Sequence, residues 1–164
     1  MKPYRIHCAL SFLLWIVSLL AMAGSIELPR AENLQADAQQ AVSEKKPIVL
    51  FFTLPNCSYC RIVRYDYFLP LLKKRTGNDQ PIIREISVTG QNRVTLFDGQ
   101  RVSEAELAER YKVPMTPTVL FVNHEGEVVG NPILGGDHTN YIALFDKSLA
   151  EASTKIAGKR VRIR

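Results

Sequence analysis

Apolar positions change their period several times along this chain, and each change marks an element. Residues 48–53 form a continuous apolar run of strand length, as expected for a central strand covered on both faces. Before it, Leu34, Ala38, Ala41 and Val42 recur at helical spacing, predicting an amphipathic helix over 31–45 that Pro47 stops. After it, Leu54-Pro55-Asn56 reads as a loop. Ile62, Val63, Tyr65, Phe68, Leu69, Leu71 and Leu72 then predict a long helix from Cys57 to about Lys74, kinked or divided at Pro70. Thr76-Gly77-Asn78-Asp79 is a turn, and 81–88 reads as a second strand.

The second half continues in the same way. Val94-Thr95-Leu96-Phe97 and Asp98-Gly99 suggest a small hairpin. Ser103 and Glu106 have the spacing of a capping box, opening a helix to about Tyr111. A loop with two prolines, 113–117, leads into a strand at 118–122. Asn123-His124-Glu125-Gly126 is a turn, and 127–129 is the returning strand of a hairpin. A Gly/Pro loop spans 131–136. Ile142, Leu144, Phe145 and Leu149 mark a final helix from Asp137 to about Ala152. The first two strands are joined through a helix and should be parallel, whereas the late hairpin must be antiparallel. The fold class is therefore α/β, a mixed central sheet with helices on both faces.

Composition and charge trim this picture. With 164 residues, 46% of them hydrophobic, the chain suits one globular domain with a real core, placed at 31–152. Residues 1–23 read as a secretory signal: Lys2, Arg5 and His7 precede an apolar run from Ala9, and Ala21-Met22-Ala23 is a small-x-small cleavage site. The competing reading is an uncleaved anchor, but an apolar run of fifteen is short beside the roughly 20 residues of a spanning helix. Cleavage discards Cys8 and takes the net charge from +5 to +3. Five of the remaining basic residues (Lys155, Lys159, Arg160, Arg162 and Arg164) sit in the C-terminal tail, 153–164, without which the charge would be −2. The tail reads as a solvated, frayed end, with a membrane surface as the competing partner. Nucleic acid is not expected as a partner of an exported protein.

Only Cys57 and Cys60 then remain. A structural disulfide framework normally uses more cysteines, so one exported pair at this spacing points to redox chemistry. Cys57 is placed at a helix N-terminus, where unpaired N–H groups and the positive end of the helix dipole favour a thiolate. Cys60 follows one turn later on the same face. The competing chemistry is half a zinc site, which needs His124 and His138, both expected in distant turns. Met115 raises a copper-handling alternative, against a plain packing role. Neither metal nor cofactor is expected.

Cys57-Ser58-Tyr59-Cys60 after a strand, Thr116-Pro117-Thr118 opening the penultimate strand, the Asn123–Gly126 turn and Gly135-Gly136 before the last helix together resemble the thioredoxin-fold proteins. The resemblance covers roughly 31–151. It implies that Pro117 is cis and faces the redox cysteines; the competing reading is a trans proline starting an edge strand. The insert from Val94 to Ala108, with Tyr111-Lys112-Val113, is similar to the SoxW-type periplasmic thioredoxin-like proteins of bacterial sulphur oxidation. Tyr59 and Thr116 also resemble the active sites of periplasmic disulfide isomerases, whose separate dimerisation domain has no counterpart here, so a monomer is expected. Three positions depart from cytosolic thioredoxins: Asn56 replaces a Trp, Ser58-Tyr59 replaces Gly-Pro, and Phe51 replaces a buried acid. Glu85 on the neighbouring strand is the candidate substitute proton acceptor; the bland alternative is a partly exposed strand-end carboxylate.

The expectation is a periplasmic thiol–disulfide oxidoreductase. Cys57 attacks a disulfide in a partner protein and Cys60 resolves the mixed disulfide. Ser58, Tyr59, Thr116 and Pro117 meet the substrate, and a membrane electron donor recharges the pair. Running the exchange backwards, as oxidase or isomerase, is the alternative within the enzyme class. Metal delivery is the alternative outside it.

Overall fold

The computed structural model describes residues 27–136 and 139–161. The 1–23 segment, Cys8, His138 and the last three tail residues lie outside them. Among the described residues, no helix is long and apolar enough to cross a membrane.

Helix α1, Leu34–Glu44, is capped by Asn33, whose side chain accepts from the Ala36 amide, and ends at Lys45 in the left-handed region. Strand β1, Ile48–Thr53, is buried along its whole length. It lies at the centre of a four-stranded sheet with β2 (Ile82–Ser87), β5 (Thr118–Val122) and β6 (Ile133–Leu134), in the order β2-β1-β5-β6. β1 runs parallel to β2 and antiparallel to β5, and β6 is antiparallel to β5. The mixed α/β sheet expected from the pattern is the one observed.

Alternation along β1 divides the core in two. Ile48, Leu50 and Phe52 point to one face, where they meet Leu34 and Ala41 of α1 and Leu107 of α4 (Glu104–Arg110). Val49 and Phe51 point to the other, against Val63, Phe68 and Phe145. Phe68 anchors an aromatic cluster there, edge-on to Phe51 at 5.1 Å and to Phe145 at 5.3 Å. Each fully buried ring stabilises the fold by about 1.5–3 kcal/mol through area removed from water. A two-stranded ribbon, β3 (Arg93–Thr95) with β4 (Arg101–Ser103), fills the insert before α4. The Ser103–Glu106 capping box is fully formed.

Three elements differ from the expectation. The helix after Cys57 is continuous but not uniform: α2 (Ser58–Ile62), a π-helical stretch (Val63–Phe68), then α3 (Leu69–Lys74). The irregularity precedes Pro70 instead of sitting on it. Pro70 has no N–H and its ring opposes the carbonyl four residues back. The widened π pitch, in which the Leu69 amide donates to the Arg64 carbonyl, makes room just before it.

The late hairpin is also broken. Val122 bridges Val128, but Val129 and Gly130 both donate to the Phe121 carbonyl, a bulge, and pairing resumes only at Ile133–Leu134. The returning strand is therefore 133–134, inside the predicted loop. Pro132, which has no amide to donate, falls in the gap.

The last helix, α5, spans Tyr141–Val161, starting later and ending later than predicted. Ser153 and Thr154, just past the predicted end, donate their hydroxyls to the Leu149 and Ala150 carbonyls and stay within the helix. Helical backbone thus continues into the basic tail.

Candidate active site

The cysteine pair sits where β1 delivers the chain to α2. Asn56 turns the loop with a positive φ of 63°, and Cys57 follows as the N-cap residue of α2. Its Sγ accepts from the Cys60 amide at 3.1 Å, so a thiolate here would meet a helix-end donor. The two sulfurs are joined as a disulfide, S–S 2.09 Å, with Cα atoms 5.2 Å apart. Cys57 is partly exposed while Cys60 is 1% exposed. One sulfur can therefore be reached from outside and the other only through its partner.

Thr116 and Pro117 come to this pair from the β5 side. The Thr116–Pro117 peptide is cis. The Thr116 hydroxyl lies 3.8 Å from Cys57 Sγ, as a long donor. The Thr118 hydroxyl donates to the Met115 carbonyl at 2.8 Å and fastens the loop. Ser58 and Tyr59 are exposed beside the disulfide, Tyr59 at 51% and Met115 likewise at 51%. Gly136 packs under Tyr59: a Cβ there would stand 3.0 Å from the Tyr59 carbonyl oxygen and 3.1 Å from its Cβ, a tight fit that a larger residue would meet only by shifting the Tyr59 turn.

Glu85 shares a cleft of about 450 Å³ with Cys57 and Cys60. Register explains why: Glu85 pairs with Phe51, and alternation from the buried Ile83 turns it toward the helix that carries the cysteines. It is not a loose strand-end carboxylate. The Thr53 hydroxyl donates to its Oε1 at 2.9 Å, Arg64 Nε donates to its Oε2 at 3.0 Å, and Arg64 Nη2 donates to Oε1. The Glu85 carboxylate holds the Arg64 guanidinium above its usual range, the hydrogen bond outweighing the burial that opposes it. Ser58, Tyr59, Thr116 and Pro117 do not line this cleft.

Four charged residues at the site were not singled out from the sequence. Arg30, Arg61 and Arg64 line the cleft. Spacing carries a signal for two of them, since Arg61 is four residues after Cys57 and Arg64 four after Cys60, on the same helical face. The fourth, Glu104, lies between the two residues read as a capping box, Ser103 and Glu106. Its side chain is 1% exposed. It accepts from Arg30 Nη2 at 3.1 and 3.2 Å, from the Ser87 amide at 3.2 Å and from Asn92 Nδ2 at 3.0 Å. A contact across 74 positions leaves no local trace in the sequence.

His124 lies in the turn after β5, at the opposite end of that strand from Thr118 and Cys57. Among the described residues, no group of three or more His, Cys, Asp or Glu is placed to hold a metal ion.

Residues 34–139 match the model of the family described as thioredoxin-like domain. No curated protein matches the chain. Among solved structures, a poplar thioredoxin h is 14% identical, with 71% of this chain and 94% of that one covered and a TM-score of 0.50. The Schistosoma mansoni thioredoxin pre-protein is 19% identical over 75% and 99% of the two chains, TM-score 0.48. A Nicotiana alata thioredoxin is 20% identical over 79% and 98%, TM-score 0.46. Fold and cysteine pair together make this a centre for thiol–disulfide exchange.

Proposed function

Because the chain belongs to the thioredoxin-like domain family, we propose that it is an exported thiol–disulfide oxidoreductase that reduces disulfides in partner proteins, a periplasmic enzyme of the SoxW type. The observation that carries this reading is the asymmetry of the pair: a reachable Cys57 capping a helix, bonded to a buried Cys60. In the reduced state the Cys57 thiolate attacks one sulfur of a substrate disulfide and expels the other as thiolate. Cys60 then loses its proton, attacks Cys57 Sγ and releases the second substrate thiolate. Two electrons pass to the substrate, and a membrane electron donor returns them. Glu85 is the carboxylate to which the Cys60 proton can pass, directly or through water in the shared cleft. Thr116 and Pro117 present backbone to the substrate, with Ser58 and Tyr59 on its other side. The signal read at 1–23 supports export, and a monomer suffices for every step.

Cys60→Ala is the deciding variant. It leaves Cys57 able to attack but not to be released, so it should accumulate mixed disulfides while losing turnover in insulin reduction. Titration of the pair against glutathione sets the direction. A potential near that of strong periplasmic oxidants, about −120 mV, would reverse the reductase assignment.

A further inference from the structure

Three arginines from two separate segments converge on the cleft beside the disulfide, and their charge is only partly neutralised. Arg64 is taken up by Glu85. Arg30 rests on the buried Glu104 through one guanidinium nitrogen and keeps 56% of its side chain exposed. Arg61 makes no side-chain hydrogen bond or ion pair among the described residues. Among the described residues, Glu85 is the one carboxylate lining the cleft, and Thr53, Asn56 and Ser87 add neutral polar groups. An open guanidinium fork beside a second, half-open one suits an oxyanion with two or more acceptor oxygens. Cys57 lines the same cleft, so an anion held there shares one opening with the reacting sulfur.

We propose that this cleft is a subsite for a carboxylate or sulfonate next to the substrate's disulfide bond, with Arg61 as its specificity-determining residue. The proposal rests on the exchange reading above. The reduced enzyme donates two electrons to an acidic disulfide. Cys57 and Cys60 close into their disulfide, the substrate bond breaks, and two acidic thiols leave with the protons. The subsite acts on the encounter and the mixed-disulfide step. It is separate from the Thr116–Pro117 side of the centre.

The test compares two small disulfides of opposite charge, 3,3′-dithiodipropionate and cystamine. Each rate with the reduced protein is divided by the rate of dithiothreitol with the same disulfide, which removes the difference in leaving thiol. At low salt the dianion should be preferred by about ten- to twentyfold, because one unit charge some 5 Å away in a water-like medium favours the anionic arm about fourfold and disfavours the cationic arm by the same factor. The preference should disappear in Arg61→Ala, survive in Arg61→Lys, and fade at 0.5 M salt, where the screening length is only a few ångströms. A normalised ratio near one, or a preference that Arg61→Ala leaves intact, overturns the subsite while leaving the exchange reading standing. Failure to reduce either disulfide overturns the exchange reading itself. Bridged peptides with Glu or Lys beside one cysteine identify the source. A preference shared by the peptides assigns the subsite to protein segments, and one confined to the small diacid assigns it to a low-molecular-weight disulfide.

Discussion

Replacing Glu104 with Gln should destabilise the protein far more than replacing its partner Arg30 with Ala. The carboxylate is buried and each oxygen accepts from two donors: Oε1 from Arg30 and the Ser87 amide, Oε2 from Arg30 and Asn92. An amide in the same place puts an NH2 group against donors on one side. That leaves at least one buried donor without an acceptor, at about 1–3 kcal/mol, and weakens the remaining bonds by removing the charge. Arg30 is more than half exposed, so water takes the place of its guanidinium at the carboxylate when it is cut back, while the Ser87 and Asn92 donors remain, and the loss is held to about 1 kcal/mol. The sum for Glu104→Gln is about 2–4 kcal/mol, against a total stability of about 5–15 kcal/mol for a domain of this kind. Urea unfolding of the oxidised protein, followed by far-UV circular dichroism, reads both variants directly. A loss below about 0.5 kcal/mol for Glu104→Gln, or a larger loss for Arg30→Ala than for Glu104→Gln, would refute the reasoning.

Two further outcomes are expected. Thr116→Val removes the hydroxyl 3.8 Å from Cys57 Sγ; alkylation of the reduced Cys57 at neutral pH should then be slower, because the thiolate loses a donor. Burial pushes the Tyr111 phenol, which donates to the Gly126 carbonyl at 2.8 Å, up to about 12, and burial with the Tyr67 ring beside it raises Tyr141 as well. Between pH 10 and 12 the folded state therefore holds phenolic protons that the unfolded chain has released. Stability should be unaffected below about pH 10 and fall as pH rises through this window, with phenolate absorbance appearing together with unfolding; flat stability to pH 12 would count against it.

The chain spelled out its central layer but not its edges. β1 and β5 were readable because a strand covered on both faces needs an uninterrupted apolar run, and Ile48–Thr53 and Thr118–Val122 each supply one between breakers. The capping box at Ser103 was readable because its partners are three residues apart. β6 was not, since two residues paired across a bulge have no periodicity, and Pro132 beside them argues for a loop. At the site, the cysteines were legible from type and spacing, and the Thr116–Pro117 pair through the thioredoxin-fold resemblance. The Arg64–Glu85 clamp and the Arg30–Glu104 pair depend on which strands lie side by side, and that is fixed only by the assembled sheet.

The widened turn at Val63–Phe68 makes segment length, more than side-chain identity, the sensitive quantity between the cysteines and Pro70. One residue of helix corresponds to a rotation of about 100°. Ahead of the turn, Cys60 faces the disulfide cleft; behind it, Phe68 faces the aromatic cluster, and the extra residue lets both aims hold at once. Deleting a single residue there would tighten the coil to ordinary pitch and swing one half against the other. Either the sulfurs would leave the mouth of β1 or the ring would leave Phe51, so a frameshift in phase of one position uncouples the chemistry from its foundation.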